Sequence, residues 1–309
     1  MYDTTNFWID SSMVGGNPFA MLNYLGDITE RQNEKWGYSA SGKTGDYTAN
    51  IYNTGISLKG SLAKYYLPSN VYTLSRSAAK ESIEKLSDEL HVDIREAKVT
   101  RIDVSTVIPT SRPPAEYYPF LGLKPYFTRL QATLYTLYYN TIKRQIVFYD
   151  KIKEATAKTS KIPDTLKNSN LMRYELRFLR ELPRQLQTTS TITGKTLINP
   201  QFYYKIIQYW KEEFYTINKI NNNIIMKDTI KTPKDAKNAF LAILISQNGV
   251  DAIDCFINDL KAQNVYSDPK YYSRVKTDLN RIMTAHNMEK NELINELEKA
   301  IDNVAKYAR

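Results

Sequence analysis

The sequence predicts an α+β fold in which an antiparallel sheet backed by helices precedes an all-helical C-terminal domain. Three segments of the first part alternate apolar and polar residues, as half-buried strands do. After Asn199-Pro200, apolar residues recur at helical spacing instead. We therefore predict a mixed domain over residues 1–198 and a helical domain over residues 199–309. The three segments are Thr100–Ser105, Arg144–Lys151 and Met172–Phe178.

Local signals predict the remaining elements. Residues Tyr47–Tyr66 alternate around Asn53-Thr54-Gly55, which predicts a hairpin, and Ser77–Leu90 has helical spacing with a serine cap. The other elements predicted in the first domain are strands at Ala97–Ile108 and Leu171–Phe178, a hairpin of Leu134–Asn140 with Gln145–Tyr149, and a polar connection at Lys153–Asn170. In the second domain we predict helices at Gln201–Ile217, Pro233–Ser246, Asp251–Ala262, Asp268–Thr284 and Glu289–Tyr307.

The composition suggests either a polyanionic partner or an A/T-rich genome, which favours Lys, Asn and Tyr. The 309 residues carry a formal net charge of +9 and include 24 tyrosines. Lysine and arginine release counterions from phosphates, and tyrosine rings stack on unpaired bases. The single cysteine, Cys255, excludes an internal disulfide and a cysteine-rich zinc site, and two histidines supply a His-based metal site poorly. No apolar run of membrane-spanning length and no signal-like N-terminus are present, which predicts a cytoplasmic protein without a membrane partner.

Residues Gly37–Thr44 match the phosphate-loop pattern of nucleotide-binding proteins letter for letter. That pattern binds phosphate only between a buried strand and a helix, because the helix N-terminus supplies the amides. Here Arg31–Trp36 is polar, and Gly45-Asp46 leads toward a strand. We therefore disfavour a nucleotide site and expect a Ser/Gly-rich loop.

Two acidic residues interrupt predicted strands, where carboxylates are disfavoured. Asp103 shares a strand face with Arg101, and Glu175 lies between Arg173 and Arg177 in the same layout. Ordinary ion pairs on a solvated face are one explanation. Two such strands in one domain favour a shared polar face. Carboxylates without histidine or thiol neighbours suit Mg²⁺ or Mn²⁺, which take oxygen ligands.

Tyr149 ends an apolar segment and has Lys151 two positions further on. On a regular strand both side chains share a face, and the ammonium would stabilise a phenolate or developing phosphate charge. A second basic segment, Lys59–Tyr66, contains a glycine, a hydroxyl and two lysines, Lys59 and Lys64. It predicts either a contact with a phosphate backbone or a kinked strand.

These strands resemble the replication initiators of filamentous phages, the gene II family, and related phage and plasmid replication proteins. The shared motifs are Arg-Ile-Asp at Arg101–Asp103, an apolar strand ending Tyr-x-Lys at Tyr149–Lys151, and Arg-aromatic-Glu at Arg173–Glu175. Order and approximate spacing agree over the first two thirds of the chain. A looser resemblance is to the Rep_trans plasmid initiators, whose nucleophilic tyrosine sits earlier on the strand, where this chain has Gln145.

The resemblance implies a rolling-circle initiator that nicks and rejoins one DNA strand at the origin through a 5′-phosphotyrosine link. Tyr149 would be the nucleophile, with Tyr138 or Tyr139 as alternatives, and Lys151 would assist it. Asp103 and Glu175 would hold Mg²⁺ or Mn²⁺, together with Glu154. The residues implied in phosphate or DNA binding are Arg101, Arg173, Arg177, Lys59, Lys64 and Arg144.

Other functions stay open at this stage. A non-catalytic origin-binding or regulatory protein of a plasmid or phage would keep the fold and use the acids in ion pairs. The C-terminal helices would contact origin duplex, a second protomer in a homodimer, or a host helicase.

Overall fold

The computed structural model confirms the α+β class. It describes residues 1–33, 37–158, 162–220, 230–248, 252–285 and 291–308. The described residues form ten strands: β1 (Tyr2–Asp10), β2 (Gly26–Asn33), β3 (Gly37–Thr44), β4 (Tyr47–Tyr52), β5 (Gly55–Lys59), β6 (Lys98–Pro109), β7 (Thr128–Thr133), β8 (Thr136–Asn140), β9 (Arg144–Asp150) and β10 (Leu171–Phe178).

All ten strands join one antiparallel sheet in the order β2-β3-β4-β5-β1-β6-β10-β9-β8-β7. The three segments that carry the predicted site therefore lie side by side as β6, β10 and β9. In this register Arg177 is opposite Asp103, and Arg173 is opposite Tyr149. Opposed residues of an antiparallel pair point to the same face.

The described helices are α1 (Leu62–Tyr66), α2 (Arg76–Leu90), α3 (Lys151–Ala157), α4 (Leu182–Gln185), α5 (Gly194–Ile198), α6 (Pro200–Tyr215), α7 (Pro233–Gln247), α8 (Ala252–Ala262), α9 (Lys270–Ala285) and α10 (Glu292–Tyr307). The predicted helices of the second half are confirmed apart from shifts at their ends. Residues 251 and 289, where two of them were predicted to begin, lie outside the described residues. None of the described helices is long and apolar enough to cross a bilayer.

The two faces of the sheet differ in chemistry. One face, here called the covered face, is apolar and packs against helix α6: the buried ring of Tyr174 lies 4.7 Å from Phe148 and 4.7 Å from Trp210 of α6. The Tyr174 hydroxyl donates to the Trp210 carbonyl at 2.7 Å, which satisfies its polar atom inside the core. The opposite face, here called the open face, carries polar side chains such as Asp103 and Glu175, and α3 borders it at the end of β9. The period of two along each strand produces this separation.

The chain divides into two compact units. The first comprises residues 1–114, 126–214 and 301–309, and the second comprises residues 115–125 and 215–300. The predicted boundary at residues 198/199 falls between α5 and α6. Helix α6 belongs to the first unit, because its aromatic side chains pack on the covered face of β9 and β10.

Several local predictions are wrong, each for a physical reason. Residues Gly37–Thr44 form strand β3 rather than a loop, because they pair with both β2 and β4. The second strand of the predicted hairpin ends at Lys59, because Ser61 caps helix α1. Lys151 does not continue β9, and the predicted connection Lys153–Asn170 begins as helix, because the Asp150 carboxylate accepts from the amides of Ile152 and Lys153 and starts helix α3.

Candidate active site

Asp103 and Glu175 lie on the open face of neighbouring strands, each held by arginine. Asp103 is fully buried and receives two hydrogen bonds from Arg101, at 2.8 and 2.7 Å. The Nε of Arg177 donates to Glu175 at 3.0 Å and lies 3.9 Å from an Asp103 oxygen. Arg177 therefore bridges the two carboxylates.

The proximity of the two acids affects their protonation. Burial raises the pKa of Asp103 to about 7, the hydrogen bonds from Arg101 oppose that rise, and the negative charge of Glu175 adds to it. A carboxyl group whose ionisation is disfavoured by a neighbouring carboxylate gains from a cation placed between the two. In this structure the guanidinium groups of Arg101 and Arg177 supply positive charge to the two carboxylates.

Arg173 is held by a buried acid that sequence reasoning missed. Its Nη2 donates to Asp3 of β1 at 2.5 Å and to Ser105 at 2.6 Å. The Ser61 hydroxyl donates to the other Asp3 oxygen at 2.6 Å. Burial raises the pKa of Asp3, but the charge of Arg173 and the bond from Ser61 outweigh it, so the pKa lies below its usual value. The segment Tyr2–Asp10 lacks a regular alternation of apolar and polar residues, so nothing in the sequence singles out Asp3.

Tyr149 lies on the same face, opposite Arg173, and is half-buried. Burial raises its pKa well above that of a free phenol, while Arg173 lowers it and Glu175 raises it further. The strand register accounts for both influences, because Arg173 is directly opposite Tyr149 and Glu175 is diagonally across from it. Asp103, Glu175 and Tyr149 are thus brought to one face of three adjacent strands, and Tyr149 is a neutral phenol at neutral pH.

Helix α3 brings Lys151 and Glu154 to the edge of this face. Lys151 is almost fully buried, and its ammonium donates to Glu154 at 2.7 Å. Burial and the charge of Arg173 lower the pKa of Lys151. Lys158 also contacts Glu154 at 2.7 Å, so this acid has two ammonium partners. Among the described residues, Glu154 does not join Asp103 and Glu175 in a group of three metal ligands.

A cleft of about 350 Å³ gives access to Tyr149. Its wall includes Tyr138, Glu154 and Arg177. Tyr138 thus shares the cleft with Tyr149, whereas Tyr139 is fully buried on the covered face, with its ring 6.4 Å from that of Phe148. Of the three candidate tyrosines, Tyr149 is therefore the one that lines the cleft and is also opposite Arg173.

The basic residues predicted to bind DNA divide between the two faces. Lys59 is exposed at the end of β5, and Lys64 lies in α1 close enough to lower the pKa of Asp3. Arg144 has the opposite parity to Tyr149 on β9 and pairs with Glu213 of α6, on the covered face. Arg144 is therefore placed to join α6 to the sheet.

Asp103 and Glu175 fit a divalent cation in donor type. Mg²⁺ is commonly bound by one or two carboxylates together with water and substrate phosphate. Within the described ranges no group of three or more Asp, Glu, His or Cys side chains could hold a metal. The donors that this face offers are therefore two carboxylates, Asp103 and Glu175. Arg177, which contacts both, could bind phosphate in place of one of them.

A family model matches the first two thirds of the chain. The family is described as the N-terminal part of a replication-associated protein, the gene II product, and its model covers residues 1–199. The chain belongs to this family. Membership confirms the resemblance to the gene II initiators and assigns the chain a role in DNA replication.

One solved structure to which the chain is similar is that of a rolling circle replication initiator protein from Geobacillus stearothermophilus. The identity is 12%, the TM-score is 0.35, and the similarity covers 60% of this chain and 76% of that one. A comparison with curated proteins finds no match.

The Asp3–Arg173 pair predicts a large effect on stability. Replacing Asp3→Asn removes the closest counter-charge of the buried Arg173 guanidinium and leaves only Glu175, 4.0 Å away, and breaking a buried pair in this way costs about 3–5 kcal/mol. Urea unfolding followed by circular dichroism measures the loss. The matched control is Asp27→Asn, because Asp27 forms an exposed pair with Lys43. Equal, small effects of both substitutions would contradict the assigned role of Asp3.

Proposed function

We propose that this member of the gene II family is a metal-dependent DNA nickase and ligase that starts rolling-circle replication, with Tyr149 as its nucleophile. One observation carries the proposal. Tyr149, Asp103 and Glu175 lie on a common face of β9, β6 and β10, and a cleft opens onto the phenol. Glu175 is diagonally across from Tyr149, and Arg177 links Glu175 to Asp103 further along the same face. A phenol, carboxylates and guanidinium groups on one face supply the parts for phosphoryl transfer to tyrosine.

In this reaction the Tyr149 Oη bonds to the scissile phosphorus as the bond to the 3′ oxygen of the preceding nucleotide breaks. The proton lost by the phenol is balanced by the proton that the released 3′ oxygen gains. The products are a 5′-phosphotyrosine and a free 3′-hydroxyl, which can prime synthesis. Covalent capture conserves the phosphodiester bond energy, so the reverse reaction rejoins the strand.

The groups around Tyr149 match the charge that develops in this step. Because burial raises the pKa of Tyr149, the phenol holds its proton until phosphate arrives. Arg173 opposes that rise. Arg101 and Arg177, which pair with Asp103 and Glu175 in this structure, would bind phosphate oxygens when DNA enters. Lys151, close to Arg173 and bound to Glu154, would provide a further positive charge near the leaving oxygen.

Mg²⁺ or Mn²⁺ held by Asp103 and Glu175 would supply Lewis-acid stabilisation of the phosphoryl oxygens. Asp103 and Glu175 would hold that ion on the face of the sheet that carries Tyr149, because β6, β10 and β9 are neighbours. Origin DNA is the partner that this function requires. The helices α7–α10 would contact origin duplex, a second protomer or a host helicase.

A second candidate is a non-catalytic origin-binding protein of a plasmid or phage. It is favoured by the ion pairs in which both acids are found: Asp103 is bound by Arg101 and Glu175 by Arg177. In that case the acids would serve the fold, and the basic groups alone would bind DNA.

Nicking of supercoiled DNA tests the nucleophile. We expect the wild-type chain with Mg²⁺ to convert a supercoiled plasmid carrying the origin of its own replicon into nicked circles with protein attached to the 5′ end. Tyr149→Phe removes the attacking oxygen and is expected to abolish both products. Tyr138→Phe, in the same cleft, is the matched control and should retain them. Absence of nicking by the wild type with Mg²⁺ or Mn²⁺ would contradict the proposed nickase activity. An adduct formed by Tyr149→Phe would contradict only the assignment of Tyr149 as the nucleophile.

Binding of Mn²⁺, followed by electron paramagnetic resonance, tests the metal site without any cleavage. Asp103→Asn and Glu175→Gln should each weaken binding by on the order of tenfold or more, since the ion loses one of two carboxylates. Glu154→Gln is the control, because its carboxylate is bound by Lys151 and Lys158 instead. Chelation should stop nicking by the wild type. Unchanged Mn²⁺ affinity in Asp103→Asn and Glu175→Gln would contradict the assignment of these two residues as metal ligands.

A further inference from the structure

The segment Gly37–Thr44, which imitates a phosphate loop, has a different place in the fold. It forms strand β3, so its alternate residues Ser39, Ser41 and Lys43 share one face. On the other face, Thr44 donates to Glu89 of α2, which marks that side as the covered one. Ser39, Ser41 and Lys43 are therefore on the open face.

The second glycine of that pattern has a packing role here. Gly42 is buried, and a Cβ at this position would lie 2.8 Å from the Cβ of Leu25. The close approach of Leu25 therefore requires a glycine. The likeness to a phosphate loop needs no nucleotide to explain it.

The strand register extends Lys43 into a row that crosses the sheet. Lys43 is opposite Thr48 on β4, and Thr48 is opposite Lys59 on β5. Phe7 is opposite Leu58 and Thr4 is opposite Ser61, so Asn6 is level with Lys59 between these pairs. Asn6 is opposite Arg101 on β6. We call this set the cross-strand row. Its members, in spatial order, are Lys43, Thr48, Lys59, Asn6 and Arg101.

The cross-strand row ends at the candidate active site. Its last member, Arg101, holds Asp103 through two hydrogen bonds. Strands lie about 4.8 Å apart, so the three cations, which recur on every second strand, are spaced on the order of 10 Å. The row thus forms a track of roughly 20 Å that leads from β3 to the carboxylates.

The chemistry of this track suits a phosphate backbone. A second row beside it, Ser41, Asn50 and Ser57, consists of hydroxyl and amide groups. Within residues 37–59, all of which the structure describes, none of the open-face positions of β3, β4 and β5 is acidic. An ordinary solvated sheet face mixes charges of both signs.

The members of the row are accessible. Lys43 and Lys59 are exposed, and Thr48, Asn6 and Arg101 are partly exposed. Lys43 contacts the acidic Asp27 at 3.1 Å, and both side chains are more than half exposed. Such an exposed pair contributes little, so Lys43 can exchange Asp27 for a phosphate at small cost.

We propose that the cross-strand row binds the sugar–phosphate backbone of the DNA strand that leads to the scissile phosphate, with β3 as its outer end. This inference rests on the proposed nickase function and assigns β3–β5 the task of positioning the DNA. Lysines and hydroxyl groups bind phosphates without reading bases, so the row would set register rather than sequence specificity.

Salt-dependent binding tests the row without cleavage. In a Tyr149→Phe background, fluorescence anisotropy would measure the affinity for a labelled single-stranded oligonucleotide and for its duplex over a range of salt concentrations. Lys43→Gln with Lys59→Gln should reduce the slope of log K against log salt by about 1.4 for the single strand, or about 1.8 for the duplex, because each lost phosphate contact accounts for about 0.7 or 0.9.

The matched control is Lys80→Gln with Lys195→Gln, which removes the same charge from α2 and α5 on the covered side. This control should keep the parent slope. The proposed role of the row would be wrong if both double variants reduced the salt slope equally, or if Lys43→Gln with Lys59→Gln did not reduce it. Circular dichroism would show that both variants fold. Failure of the row would leave nicking by the wild type intact, whereas failure of the nickase proposal would appear as absence of nicking by the wild type.

Discussion

The structure depends on the pairing of buried charges on its central strands. A guanidinium or carboxylate removed from water is tolerated only when an opposite charge and hydrogen bonds replace the solvent. Arg173 meets this condition through Asp3, and Asp103 meets it through Arg101. Because Asp3 lies on β1 and Arg173 on β10, the pair crosses β6 and ties three strands together on the open face.

The same ion pairs determine which charged groups the open face can offer to DNA. Carboxylates and guanidinium groups that neutralise each other in the absence of DNA can exchange partners when phosphate brings negative charge. Arg177, which bridges Asp103 and Glu175, is the group best placed for such an exchange. The covered face is apolar at β9 and β10, since Phe148, Tyr174 and Trp210 fill it. The apolar packing and the candidate chemistry therefore lie on opposite sides of one sheet, and the buried ion pairs on the open face contribute to stability as well.

Sequence patterns predicted those parts of the fold that local periodicity governs. Strands β6, β9 and β10 and helix α6 were found because their apolar spacing is regular. Strand β3 was missed because glycine and serine residues resemble a loop, and its pairing with β2 and β4 is non-local. Lys151 was misplaced because the Asp150 cap ends the strand one residue earlier. Asp3 was not predicted because its partner Arg173 is remote in sequence, and only the folded register brings them together.

Identification of the residue joined to DNA tests the central claim most directly. Trypsin cleaves after Arg144 and Lys151, so Tyr149 lies in a peptide, Gln145–Lys151, that contains no other tyrosine, whereas Tyr138 and Tyr139 share an earlier peptide. After cleavage of origin DNA, nuclease digestion and mass spectrometry should find the nucleotide adduct on Gln145–Lys151. An adduct on the peptide that contains Tyr138 and Tyr139, or on any other peptide, would contradict the account.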